Sequence, residues 1–251
     1  MPGPEWSLPA VLAHRCGGTL APENTLAGLV AASANGCGGV EFDVMLSGSG
    51  SPVLIHDETL ERTTDGRGRV ADTPDDILLA VDAGSWFDRR FAEERIPTLD
   101  ATAARCIALG LAVNLEIKPT TGADEATAEI VAWRASQLWA GALMQPLLSS
   151  FSVRALETAA AVAPALHRGL LVGEVPADWL VRCQRLGVVS LHVDHRHLDR
   201  VVVVAAQNAG LRVVTYTVND PLRARTLFDW GVDCVITDRP DIVRPRSRAG
   251  A

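Results

Sequence analysis

The run Gly39-Val40-Glu41-Phe42-Asp43-Val44-Met45-Leu46 decides the fold, because two carboxylates interrupt a stretch that is otherwise apolar and β-like. Alternate residues of a strand project to one face, so Glu41 and Asp43 share a side. The arrangement recurs in Leu115-Glu116-Ile117-Lys118, where Glu116 and Lys118 share a face. Two further apolar runs end in His14-Arg15 and His56-Asp57. An apolar interior gains nothing by burying unpaired charge, so ionisable groups gathered at strand ends mark a site. Three carboxylates, two imidazoles and two fixed cations suggest a hard metal ion, a phosphate and acid/base hydrolysis.

Outward from that run, apolar β segments alternate with alanine-rich helical stretches, the pattern of a parallel α/β sheet. Strands are expected at 10–14, 39–46, 112–117, 147–151, 168–172, 189–193, 212–218 and 233–237. Helices are expected near 24–35, 98–109, 123–139, 152–163, 176–186, 197–209 and 221–230. Asn24, Ser152, and Asn219 or Asp220 with Pro221 supply capping chemistry at helix starts. Gly36, Gly110, Gly187, Gly210 and Gly231 fall where a left-handed residue stops a helix. Eight strands with intervening helices predict a closed (β/α)8 TIM barrel, whose sites lie at the carboxyl ends of strands.

A ninth run, Pro52 to His56, follows the 39–46 strand after only Ser47 to Ser51. A parallel crossover needs more chain than that, so an antiparallel return is expected, bringing His56 back near Glu41. The expected organisation is one barrel domain over 1–243 with an insertion at 57–97, then a disordered tail at 244–251.

The 251 residues suit one large α/β domain, and 48% hydrophobic with 21% charged residues is the balance of a soluble globular protein. A net charge of −7 argues against a nucleic-acid surface and against stable adsorption to anionic lipid. No apolar run reaches the roughly 18 residues of a membrane helix. Met1 to Pro9 lacks the basic start and apolar core of a secretory leader. The five cysteines, at 16, 37, 106, 183 and 234, have no paired metal-ligand spacing and fit free thiols in small core positions. A cytoplasmic location is the expectation.

Glu41, Asp43 and Glu116 are acceptors when ionised, and a divalent cation such as Mg²⁺ or Ca²⁺ takes oxygen ligands. Crowded without a cation, they would raise one another's pKa values; the alternative is that each pairs with a nearby Arg or Lys. His14 and His56 are the general acid/base candidates. Arg15 suits bidentate phosphate recognition and Lys118 supplies a point charge. His167, His195 and His197 are expected on the surface or in loops, and His192 either lines the pocket or is core. The loop Gly17 to Thr25 has glycines that let backbone approach a phosphate at a helix start, although any strand-to-helix turn would carry Gly and Asn.

The ordered set of segments is more specific than any one of them. It comprises His14-Arg15, Pro22-Glu23-Asn24-Thr25, Glu41-Phe42-Asp43, His56-Asp57 with Leu60-Glu61-Arg62-Thr63-Thr64, and Asp82-Ala83-Gly84-Ser85-Trp86. It continues with Asn114 to Pro119, Ser149-Ser150-Phe151, Tyr216-Thr217-Val218-Asn219 and Gly231 to Asp238. Over nearly the whole chain this resembles the glycerophosphodiester phosphodiesterase family, most closely its cytosolic bacterial members. The resemblance implies a barrel of the phospholipase-C-like type with an insertion after the second strand region. It implies hydrolysis of glycerophosphodiesters, such as glycerophosphocholine or glycerophosphoethanolamine, to sn-glycerol 3-phosphate and an alcohol. By the same resemblance His14 and His56 act as acid and base, Glu41, Asp43 and Glu116 bind one divalent metal, and Arg15 and Lys118 hold the phosphate. Phe151 and Tyr216 would be the aromatics against the substrate. Cys16 departs from the usual Gly after His-Arg, and Tyr216 from a frequent Trp.

On the residues alone, two other readings stay open. Lys118 at a barrel strand end could form a Schiff base, but such a lysine must be held neutral in an apolar pocket, whereas anions surround this one. A barrel that only binds a phosphate ligand would need no proton shuttle. The 57–97 insertion, with Arg62 and Trp86, is expected either to cover the glycerol side of the site or to serve as a structural cap.

Overall fold

Nine strands form one sheet in this computed structural model, which describes residues 6–244. They are β1 (Val11–Ala13), β2 (Gly39–Leu46), β3 (Pro52–Leu54), β4 (Ala112–Ile117), β5 (Leu147–Ser150), β6 (Arg168–Val172), β7 (Ser190–Asp194), β8 (Arg212–Tyr216) and β9 (Cys234–Thr237). The order β1-β9-β8-β7-β6-β5-β4-β2, with β2 paired back to β1, closes eight parallel strands into a barrel. The strand β3 lies outside the closure, antiparallel to β2 through Val44↔Leu54 and Leu46↔Pro52, as its short connection requires. Register then sets the chemistry. Glu41 stands opposite Asn114, and Asp43 opposite Glu116, across β2 and β4.

The helices are α1 (Leu26–Ala34), α2 (Asp75–Leu78), α3 (Leu99–Leu109), α4 (Asp124–Leu138), α5 (Val153–Val162), α6 (Trp179–Leu186), α7 (Arg200–Asn208) and α8 (Pro221–Trp230). Side chains of Thr98, Ser152, Asp199 and Asp220 accept the first free amides of α3, α5, α7 and α8. Helix α1 begins at Leu26 with Thr25 as its cap, not at Asn24. Asn24 is left-handed and its amide is drawn to Asp43, so it cannot also cap the helix. The α6 and α7 starts fall three residues later than the sequence pattern suggested, at Trp179 and Arg200. The expected disordered tail began at Arg244, which donates to the backbone carbonyl and side-chain oxygen of Asn35; its remainder lies outside the described residues.

Alternation along each strand separates two apolar layers. Val11, Val213 and Val235 pack with α6–α8, while their neighbours Leu12, Val214 and Ile236 turn inward and join Leu8, Ala112 and Leu147. Each fully buried Val or Leu contributes about 1.5–3 kcal/mol, so this parity fixes the register of every strand. His192 is also inward and fully buried, its Nε2 2.9 Å from Ser190 Oγ. It is barrel core and does not line the site cavity, which settles its earlier ambiguity; burial pushes its pKa down to about 3. The insertion has a small core of its own, with Leu60, Val70, Leu78 and Ala83 packed on Met45, Val53 and Ile55. No helix among the described residues is long and apolar enough to cross a membrane.

Candidate active site

The loop after β1 shapes the site. Arg15, Cys16 and Asn24 adopt positive φ values of 49°, 75° and 55°, a conformation that costs an L-residue roughly 1–2 kcal/mol. The coil this produces turns backbone donors toward Glu41: Arg15 N–H donates to its carboxylate at 3.0 Å, and Cys16 N–H to its carbonyl at 2.7 Å. Cys16 is therefore tolerated where Gly is usual, and burial pushes its thiol pKa well above the ordinary value, making it a packing residue.

Glu41, Asp43 and Glu116 each offer an oxygen, all within 4.8 Å of one another, and all three are buried. Asp43 has company: Asn24 Nδ2 donates at 3.0 Å, Lys118 Nζ lies at 3.2 Å and Arg15 Nε at 3.9 Å. Burial alone would raise its pKa, but Lys118, His56 and Arg15 outweigh burial and hold it below the carboxylate range. The other two are undercompensated. Burial, then the Asp43 charge, push Glu41 up to about 7 and Glu116 well above its ordinary value. The Glu116 carboxylate makes no hydrogen bond or ion pair among the described residues, so pairing with Arg or Lys explains Asp43 alone. An oxygen trio short of positive charge fits a hard divalent cation.

Two imidazoles flank the trio, each backed by a carboxylate. His14 Nδ1 is 2.6 Å from Asp238 Oδ1, and Asn219 Nδ2 donates to the other Asp238 oxygen at 2.8 Å. His56 Nδ1 is 2.6 Å from Asp57 Oδ1. Both contacts assign the proton to Nδ1, leaving Nε2 for the cavity. Burial would lower His14, but Asp238 and Glu41 outweigh it and raise the pKa. Burial lowers His56, with Lys118 and Arg15 acting in the same direction against Asp43.

These groups open on a cavity of about 320 Å³ at the carboxyl ends of the strands. His14, Arg15, Asp43, His56, Glu116 and Lys118 line one side; Phe151, Asp194, His195, Arg196, Tyr216 and Thr217 line the other. Phe151 and Tyr216 meet edge to face at 6.1 Å, and the Tyr216 hydroxyl donates to Val172 O at 2.8 Å. All nine expected site residues thus belong to one constellation. His195, expected as a surface or loop residue, sits in a loop but in the cavity wall. His167 borders a larger groove of about 620 Å³ with Trp6 and Arg212, at the opposite barrel mouth from the carboxylates. Trp86 does not line the site: its indole donates to Ala83 O and its ring packs against Phe87 within the insertion.

Asp238 and Glu23 were present in the motifs without roles, and Asn219 and Asn24 were read only as helix caps. For Asp238, directly after β9, the signal was the one used for Glu41, a polar side chain at a strand end, but nothing in spacing pairs His14 with a residue 224 positions away. Glu23 and Asn24 lie in the loop before α1. Gly18 is the hinge of that pairing: its φ is +57°, and a Cβ there would come 2.3 Å from the Asp238 carbonyl oxygen. Gly18→Ala is expected to destabilise the fold by at least about 1–2 kcal/mol and to reduce activity, as Asp238 is displaced from His14. Thermal melts and steady-state rates check both; unchanged values in each would show the loop to be pliable.

The model of the glycerophosphoryl diester phosphodiesterase family matches residues 14–242. The chain belongs to this family. A phosphodiesterase from Oleispira antarctica, solved in complex with the product sn-glycerol-3-phosphate, is 38% identical with a TM-score of 0.89, over 94% of this chain and 95% of that one. A glycerophosphodiester phosphodiesterase from Agrobacterium tumefaciens is 28% identical with a TM-score of 0.80, over 94% and 99% of the two chains. The glycerophosphodiester phosphodiesterase of Caldanaerobacter subterraneus subsp. tengcongensis is 31% identical over 244 residues, 96% of this chain and 98% of its own. The barrel is that of the glycerophosphodiester phosphodiesterases, and the protein is a phosphoric diester hydrolase of that kind.

Proposed function

We propose that this glycerophosphodiester phosphodiesterase is metal-dependent, releasing sn-glycerol 3-phosphate and an alcohol from substrates such as glycerophosphocholine and glycerophosphoethanolamine. The observation that carries the reading is the convergence of two carboxylate-backed histidines and an undercompensated carboxylate trio on one cavity. Glu41, Asp43 and Glu116 would hold one divalent cation, Mg²⁺ or Ca²⁺, which when bound supplies charge to neutralise the phosphodiester.

The chain's own residues do the rest. Arg15 and Lys118 orient the phosphate, and their charges stabilise what develops at phosphorus. One histidine accepts the proton of a glycerol hydroxyl, whose oxygen attacks phosphorus, while the other gives a proton to the departing alcohol. Water opens the resulting cyclic phosphate with the two roles reversed; attack by water from the outset is the shorter variant. Phe151 and Tyr216 present an aromatic wall to the substrate. The product complex of the Oleispira antarctica relative supports a small-molecule substrate. Barrel and insertion act as one catalytic unit, because Asp57 and Arg62 come from the 57–97 segment. Free cysteines and the net charge of −7 support a cytoplasmic location without nucleic-acid or stable membrane partners. The Schiff-base alternative loses ground, since Lys118 Nζ is engaged by Asp43 at 3.2 Å.

A coupled assay on glycerophosphocholine is expected to release glycerol 3-phosphate, to stop on chelation, and to recover with Mg²⁺ or Ca²⁺. Undiminished turnover after metal stripping would remove the cation from the reading. Absence of product from any glycerophosphodiester would remove the substrate class.

Metal-free stability should also depend on pH. The folded state holds the Glu41 proton up to about 7, against 4.5 ordinarily, so it binds more protons than the unfolded chain and loses stability as pH rises between these values. A bound cation cancels that loss. The rise in Tm on adding Mg²⁺ or Ca²⁺ is therefore expected to be larger at about pH 8 than at about pH 5. Calorimetry showing equal shifts at both would contradict it.

A further inference from the structure

Between the two flanks of the site runs an unbroken chain of hydrogen bonds, centred on one residue of the insertion. Arg15 NH1 donates to Glu23 Oε1 at 2.8 Å. Arg62 takes both oxygens of the same carboxylate, NH2 to Oε1 at 2.7 Å and NH1 to Oε2 at 2.8 Å. With its remaining donors it takes both oxygens of Asp57, Nε to Oδ2 at 2.5 Å and NH2 to Oδ1 at 3.0 Å. Asp57 in turn holds His56 Nδ1. We propose that Arg62 is a positioning residue for the hydrolysis, one guanidinium fixing both the proton-handling His56 and the phosphate-facing Arg15. This rests on the two-histidine reading above.

The geometry favours this role over a simple surface ion pair. Exposed pairs contribute little to stability, and the Arg62 side chain is 44% exposed. What it does instead is geometric: a planar fork clamps two carboxylates at once, which the single ammonium of lysine cannot do. Glu23 is shared, so Arg15 is not drawn wholly onto it and keeps its Nε without a hydrogen-bond partner, 3.9 Å from Asp43. Asp57 is held below the carboxylate range, by the Arg62 hydrogen bond first and His56 next, so it stays an acceptor for the imidazole. Without the clamp, Glu23 closes on Arg15 alone and Asp57 no longer fixes the ring of His56.

A misplacement of about 1 Å near a reacting centre costs on the order of 10²-fold. Arg62→Gln is therefore expected to lower kcat by roughly 10–100-fold and to raise KM, with Tm shifted by only a few degrees. Arg62→Lys should restore neither constant. The two arms separate in double mutants: the kcat loss should vanish in an Asp57→Asn background, and the KM rise in a Glu23→Gln background. Should Arg62→Gln fail to fold, the single variants Asp57→Asn and Glu23→Gln carry the test, one lowering kcat and the other raising KM. Native kinetics in Arg62→Gln, or losses undiminished in both backgrounds, would overturn the proposal. His56→Ala run alongside distinguishes the failures. Near-native turnover there ends the two-histidine reading and this one with it, whereas an inactive His56→Ala beside a native Arg62→Gln discards Arg62 alone.

Discussion

Replacing His14 with alanine is expected to lower turnover of a glycerophosphodiester by about 10²–10⁴-fold, the usual worth of a positioned general acid or base, while Tm stays near that of the native chain. The two halves of that outcome have separate causes. His14 Nε2 faces the cavity and Nδ1 is fixed by Asp238, so its loss removes a proton carrier whose orientation is already set. Its side chain is 18% exposed and lines the cavity, so its loss is expected to leave the barrel intact. His56→Ala should give a loss of the same order, because its imidazole is mounted in the same way on Asp57. Exogenous imidazole would be expected to recover part of the rate in either variant. A His14→Ala enzyme with near-native kcat, shown folded by its melt, would remove that residue from the chemistry.

The second large effect joins lost activity to gained stability. Glu41→Gln retains an oxygen to accept the Arg15 N–H, which the native carboxylate takes at 3.0 Å. It removes one negative charge from a buried cluster in which Glu41 and Glu116 are already pushed toward protonation by burial and by Asp43. Metal-free Glu41→Gln should therefore melt higher than the metal-free native chain at neutral pH, by roughly 2–4 °C for each kcal/mol relieved. Its activity should fall by at least about 100-fold, since even residues that merely support a metal ligand cost 10–100-fold. Differential scanning calorimetry on stripped protein and an assay at saturating Mg²⁺ decide both. A lower melting temperature with near-native activity would mean that Glu41 is paired for structure. Opposed signs are the mark of a site held together against its own electrostatics for the sake of function.

Much of this was legible before any coordinates. The barrel followed from the alternation of apolar runs and alanine-rich helices, and strand parity put Glu41 with Asp43 and Glu116 with Lys118 on shared faces. The register that sets Asp43 beside Glu116 came only with the structure. The short link after Leu46 correctly demanded an antiparallel β3. What was not legible depends on the third dimension. Asn24 looked like a helix cap because Asn at such a position usually is one; the buried charge of Asp43 outbid the helix for its amide. His195 looked peripheral because its loop has no periodicity, and only the closure of the barrel swings that loop over the cavity. Trp86 invited a role in covering the site because it is large and aromatic, yet its ring packs against Phe87 within the insertion and does not line the cavity. His192 could not be assigned until parity was known.

The residues assigned above to the proposed chemistry occupy one continuous arc of the barrel: Asp238 follows β9, His14 and Arg15 follow β1, Glu41 and Asp43 belong to β2, and Glu116 and Lys118 to the end of β4. The facing arc, β5 through β8, offers Phe151, Asp194, Arg196 and Tyr216 to the same hollow. In the function proposed here, bond breaking belongs to the first semicircle and molecular taste to the second. On that proposal, descendants of this scaffold would acquire an appetite for a new alcohol by revising the second semicircle, with the cutting machinery inherited untouched.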